Sequence, residues 1–77
     1  MFYKVKGQSE MDNEYFQLLD YFMNQPYGIV DWIELPKEFS SLCLDACGEG
    51  YIESYCETEA YYITERGKVE WERLKAS

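Results

Sequence analysis

The apolar positions of the chain fall into two helical stripes, a pair of alternating runs and a third, weaker stripe. Tyr15, Leu18, Leu19 and Phe22 recur at i, i+3, i+4 and i+7, the spacing of one helix face. Ser9-Glu10-Met11-Asp12 ahead of them has the form of a capping box, with Asp12 as an alternative cap. Asn24-Gln25-Pro26 ends the helix, because proline lacks the N–H to continue the ladder and disfavours helix in the residue before it. Phe39, Leu42, Cys43 and Ala46 repeat the same spacing. Pro36 suits a first helical position, and Gly48 and Gly50 offer a left-handed stop, so the pattern predicts a helix over about 36–47. Between the two stripes, residues 27–35 are apolar and β-branched. They read as a short strand turn leading into one or two helical turns around Val30–Glu34. Residues 1–8 alternate weakly and read either as a short edge strand or as a flexible start.

Tyr51–Cys56 and Ala60–Ile63 are rich in β-formers and are separated by Glu57-Thr58-Glu59, which predicts a hairpin. Strict alternation would put Tyr51, Glu53 and Tyr55 on one face and Ile52, Ser54 and Cys56 on the other, with Ile52 toward the core. Thr64 then reads as the N-cap of a last helix, with Glu65 favourable in its first turn. Val69, Trp71 and Leu74 would supply that helix's apolar contacts to about Lys75. The elements define a small α+β fold: about three helices, a two-stranded hairpin and a C-terminal helix, in one domain covering 1–77.

Two short runs resemble a known family. The run from Leu42 to Glu53, Leu-Cys-Leu-Asp-Ala-Cys-Gly-Glu-Gly-Tyr-Ile-Glu, looks like the end of a recognition helix followed by the lead into a wing. Tyr62-Ile63-Thr64-Glu65-Arg66-Gly67-Lys68 is similar to the run that joins wing to helix in MarR-like and PadR-like winged helix-turn-helix regulators. The resemblance covers roughly residues 10–75. It implies a winged-helix-like domain in which residues 37–47 would enter a DNA major groove and residues 55–60 would form the wing. Read as a dimeric DNA-binding regulator, the chain would contact DNA through Lys37, Ser40, Ser41, Arg66 and Lys68. The spacing departs from the family pattern. Positions 27 to 47 leave 21 residues for two helices and a turn, which shortens the first helix of the motif to about a single turn.

Charge changes this picture. Seven basic and fifteen acidic residues in 77 give a net charge of −8, a field that repels nucleic acid and anionic membrane and favours basic partners. From position 38 to 65 there are seven acids (Glu38, Asp45, Glu49, Glu53, Glu57, Glu59 and Glu65) and no base. The positions that would grip phosphate therefore carry the opposite sign. Eight Tyr, four Phe and two Trp are more than so small a core can hold, so some tyrosines belong to the surface, where Tyr favours protein contacts. The candidate partner-binding set is Asp45, Glu49, Tyr51, Glu53, Tyr55, Glu57, Glu59 and Tyr61, with Tyr62 as the other reading of the last position. Evenly spaced carboxylates on a rigid hairpin can imitate a phosphate backbone, and the aromatic faces can stack on arginine.

Other chemistry finds little footing. The chain has no histidine, the commonest general acid–base group, and no phosphate-cradling glycine loop, so it reads as non-enzymatic and free of cofactors. Cys43 and Cys47 lie at i, i+4 with Cys56 on the following strand. They read as small apolar thiols rather than zinc ligands, for which a four-ligand set with Cys-x2-Cys spacing is usual. The odd cysteine count and the lack of a signal peptide lead to the expectation of reduced thiols in a cytoplasm. The expected function is an acidic protein-interaction module that binds a basic protein, such as a phage-type inhibitor or DNA mimic directed at a nucleic-acid-binding machine, as anti-CRISPR proteins are.

Overall fold

A computed structural model describes residues 10–76. The element order is helix α1 (Glu10–Met23), strand β1 (Ile29–Asp31), helix α2 (Ser40–Glu49), strands β2 (Ile52–Tyr55) and β3 (Ala60–Ile63), and helix α3 (Glu65–Ala76). Single 3-10 turns lie at Pro26–Gly28, Trp32–Glu34 and Lys37–Phe39. The α+β fold with its hairpin is thus as the pattern predicts. The reading of residues 1–8, and Ser9 as a cap, fall outside the described residues. Asp12 is inside α1, not its cap.

The strands form an antiparallel sheet in the order β1-β3-β2. Val30 pairs with Tyr61 on one side of β3, and Ser54 pairs with Tyr61 on the other. One face of the sheet packs on the helices. The core joins Leu18, Leu19 and Phe22 of α1, Val30 of β1, Cys43 and Ala46 of α2, Ile52 and Ile63 of the hairpin, and Leu74 of α3. Both predicted helical stripes are therefore the buried faces. Of the second stripe only Cys43 and Ala46 are fully enclosed, while Phe39, in the turn before α2, and Leu42 are partly covered. An indole bond from Trp71 Nε1 to Asp20 Oδ1 (3.1 Å) ties α3 to α1.

Local chemistry fixes both ends of the hairpin. Gly50 takes φ 84°, and its N–H bonds Cys47 O while Tyr51 N–H bonds Ala46 O, the paired bonds of a Schellman stop. Thr64 Oγ1 accepts from Gly67 N–H (3.0 Å), the side-chain cap that opens α3. The same hydroxyl donates to the carbonyls of Gly50 (2.7 Å) and Tyr51 (3.0 Å), which binds the start of α3 to the end of α2.

Three local expectations are corrected. The helix expected over 36–47 begins as a 3-10 turn at Lys37–Phe39 and runs as α-helix to Glu49. Within 27–35 the expected short strand and helical turn are both present, but Val30 belongs to the strand, β1, where it buries on the inner face opposite Tyr61, and the turn starts at Trp32. Val69 is exposed, since the buried face of α3 runs through Gly67, Glu70, Trp71 and Leu74, again at i, i+3, i+4 and i+7.

Candidate functional site

The sheet's outer face is built from alternate residues of all three strands. Ile29, Tyr62 and Glu53 form one row across it, and Asp31, Ala60 and Tyr55 the next. Ala60 is small, so the Tyr55 ring leans diagonally over to Tyr62. The two rings stack at 4.4 Å between centroids and 19° between planes. The Tyr62 hydroxyl donates a short hydrogen bond to Glu53 Oε1. That bond, then the neighbouring Tyr55 hydroxyl, holds the Tyr62 phenol above its ordinary range. Glu57 and Glu59 stand exposed on the adjoining turn, where Glu59 adopts φ 53°. The outcome is a stacked aromatic pair with one carboxylate anchored to it and two more beside it.

Of the eight residues predicted for partner binding, Glu53, Tyr55, Glu57 and Glu59 are brought together at this end of the sheet. Asp45 and Glu49 are exposed on α2. Tyr51 and Tyr61 are placed elsewhere. Tyr51 precedes β2 and turns to the helices: its ring meets Tyr15 edge-on at 5.8 Å, and the Arg66 guanidinium lies over it at 5.6 Å. Burial, then Glu70 and Glu49, raise its pKa. Tyr61 lies on the inner face, partly buried against the core, with Trp32 at 6.1 Å. Its pKa is raised chiefly by burial. Tyr62 occupies the outer position, a placement decided by its register with Glu53. Ile29 and Asp31 also belong to this face, and no sequence signal for them existed without the β1–β3 pairing.

The five residues of the DNA-binding alternative are exposed. Lys37, Ser40 and Ser41 lie on the turn before α2 and its first residues. Arg66 Nε donates to Glu49 O (2.8 Å), closing the end of α2, and Lys68 pairs with Glu65 (3.5 Å). Two of the three cations are thus already engaged with the protein itself. All seven acids between positions 38 and 65 are exposed. Among them only Glu65 makes an ion pair within the described residues.

The cysteines are free thiols: Cys43 buried, Cys47 partly buried and Cys56 exposed on the turn. Burial pushes the Cys43 thiol up to about 12, with Cys47 adding to it. Among the described residues no group of three or more Cys, Asp or Glu side chains is close enough together to hold a metal. No helix there is long and apolar enough to cross a membrane. No family model, curated protein or solved structure matches the chain.

Proposed function

We propose that the protein is a non-enzymatic interaction module that binds a basic protein surface through the outer face of its hairpin and the exposed side of α2. The observation that carries this reading is the Glu53–Tyr62–Tyr55 arrangement flanked by Glu57 and Glu59, with no cation anywhere in the segment from 38 to 65. Stacked tyrosines offer a flat face to guanidinium groups, and the carboxylate held at their edge supplies the counter-charge. The bond to Tyr62 holds the Glu53 carboxylate in place before a partner arrives, so this side chain loses little further entropy on binding. The order helix, strand, turn, helix, hairpin, helix and the strand order β1-β3-β2 support a winged-helix frame for this surface. On such a frame the acids occupy the positions that touch DNA in winged-helix regulators. A partner that itself binds nucleic acid, competed for by an inhibitor of the DNA-mimic kind in the cytoplasm, follows from that placement.

Binding to a basic nucleic-acid-binding protein, measured by fluorescence polarisation across a salt series, tests the proposal. Affinity should fall steeply with salt, duplex DNA should compete, and Glu53→Lys with Glu57→Lys and Glu59→Lys should weaken the complex by about a hundredfold or more. No effect of the triple reversal would remove the hairpin as the contact surface. Clear binding of the protein itself to random duplex at low salt would instead favour a DNA-binding regulator acting through Lys37, Ser40, Ser41, Arg66 and Lys68.

A further inference from the structure

A groove of about 370 Å³ opens between α1 and the beginning of α2, lined by Glu14, Gln17, Glu38, Phe39, Leu42 and Asp45 together with Ser41. Its floor is apolar: Phe39 and Leu42 are partly buried and pack against the core. The Phe39 ring is held at 5.7 Å from Tyr21, which fixes one wall. Its rim is anionic. Glu14 comes from α1, Glu38 from the Lys37–Phe39 turn and Asp45 from α2. Among the described residues none of the three carboxylates makes a hydrogen bond or an ion pair with another side chain.

An apolar floor under an anionic rim suits one kind of occupant. A purely apolar segment would strip water from three unpaired carboxylates and offer them nothing in return. An anionic or phosphorylated ligand would be repelled. A long cationic side chain satisfies both parts, because its methylene stem lies on apolar surface while its head stays polar. Arginine suits it better than lysine. Its planar guanidinium can lie against the Phe39 ring and present several N–H donors to carboxylates on different elements.

We propose that the groove between α1 and α2 is a receptor for an arginine side chain, flanked by apolar residues, on a basic protein partner. This assignment rests on the interaction-module reading and adds to it a second contact, on helices rather than on the hairpin. The two contacts differ in chemistry. The hairpin offers a flat stacked face, whereas the groove encloses one side chain and selects for it.

The test is an NMR amide-shift titration of the full chain with a capped Gly-Leu-Arg-Leu-Gly peptide. Its control is the same peptide with citrulline, an uncharged isostere, in place of arginine. The arginine peptide should produce saturable shifts centred on Gln17, Leu42 and Asp45 and bind at least about tenfold more tightly than the citrulline peptide. Glu38→Gln with Asp45→Asn should weaken binding read at the groove amides by about tenfold, while Glu53→Gln with Glu57→Gln and Glu59→Gln should leave binding read at those same amides unchanged. Thermal melts of both variants establish that they remain folded. Equal affinity for the two peptides, shifts spread over all acidic surfaces, or loss of binding in the hairpin variant would overturn the assignment. If the peptide leaves the groove untouched while the hairpin reversal still abolishes capture of a basic protein, the groove falls and the module reading stands. If the peptide fills the groove as expected while no basic protein is bound through the hairpin, the opposite holds.

Discussion

Gly67 is a helical residue at which alanine should destabilise the protein, against the ordinary rule. In a helix interior Gly→Ala normally stabilises by about 1 kcal/mol, through backbone entropy and helix propensity. Gly67 lies in the first turn of α3, where it is buried under the start of the hairpin. A Cβ placed there would fall 2.2 Å from the Tyr51 carbonyl oxygen and 2.7 Å from Ile63 Cγ1. Carbon approaches a carbonyl oxygen to about 3.3 Å at best, so α3 and the Tyr51 peptide would have to separate by roughly 1 Å. That same oxygen accepts the N–H of Thr64 at 2.9 Å and its hydroxyl at 3.0 Å. Loosening two such bonds costs about 1–3 kcal/mol together, and crowding against Ile63 adds about 1–3 kcal/mol. Setting the propensity gain against this leaves Gly67→Ala destabilised by about 1–5 kcal/mol, a large share of the stability of a domain this size. Gly48 in α2 is the matched control, since nothing lies within 4 Å of its added Cβ. Gly48→Ala should therefore stabilise by about 0.5–1 kcal/mol. Urea unfolding followed by circular dichroism gives both values, with unchanged m-values showing that the surface exposed on unfolding is the same. If Gly67→Ala unfolds at the same or a higher urea concentration than the parent, the close approach of α3 to Tyr51 does not exist as described.

Two further outcomes follow from the structure. Tyr27 has φ 61° and is 94% exposed, in a turn closed by Gly28 N–H to Gln25 O, so its side chain packs on nothing that would offset a left-handed backbone. Tyr27→Gly should raise stability by about 0.5–1 kcal/mol in urea unfolding, and a loss of stability would show that the ring makes a contact worth more than the strain. Stability should also decline as pH rises above about 9: Cys43 is held protonated to about 12, and Tyr15, Tyr51 and Tyr61 are raised too, each chiefly by burial. The unfolded chain loses these protons first and so binds fewer than the native state, which makes the stability slope negative there. Urea midpoints from pH 8 to 10.5 measure it, and a flat profile would contradict the burial of Cys43.

What could be read in the sequence was local chemistry, and what could not was pairing. Gly50 and Thr64 announce a helix stop and a helix start because each acts through its own backbone angle or hydroxyl on neighbours a few residues away. The stripes on α1 and α2 are legible for the same reason. Strand β1 is three residues long, and its partner β3 lies some thirty positions later, so a short window shows its β-branched character but not what it pairs with. Strict alternation places Tyr51 on the Tyr55 face only by extending one residue beyond the strand. Its N–H instead completes the stop of α2 by bonding Ala46 O, which turns it toward Tyr15. The choice between Tyr61 and Tyr62 depended on register, and the pairing of Tyr62 with Glu53 settles it. Val69 misled because an apolar residue at the right distance from Thr64 resembles a core position. Gly67 holds that position by having no side chain. The α1–α2 groove had no sequence signal, since Glu14 and Asp45 meet only through helix packing.

The residues that hold the fold and the residues that carry its charge are almost entirely separate sets. The caps, the core and the close approach at Gly67 depend on Gly50, Thr64, Ile52, Ile63 and their neighbours. Apart from Glu53, whose bond to Tyr62 lies on the outer face, the acids from 38 to 65 contribute no side-chain hydrogen bond to that frame. The ion pairs Lys68–Glu65 and Arg73–Glu70 are both local to α3, at i, i+3. A charge of −8 on so small a body costs stability through self-repulsion, and neutral polar residues at the same exposed positions would avoid that cost. Solubility alone calls for a charge well spread over the surface and not for a long segment with no cation. Carboxylates that the fold does not use, concentrated on a hairpin face and a helix groove, are the feature from which a partner that brings the cations is proposed.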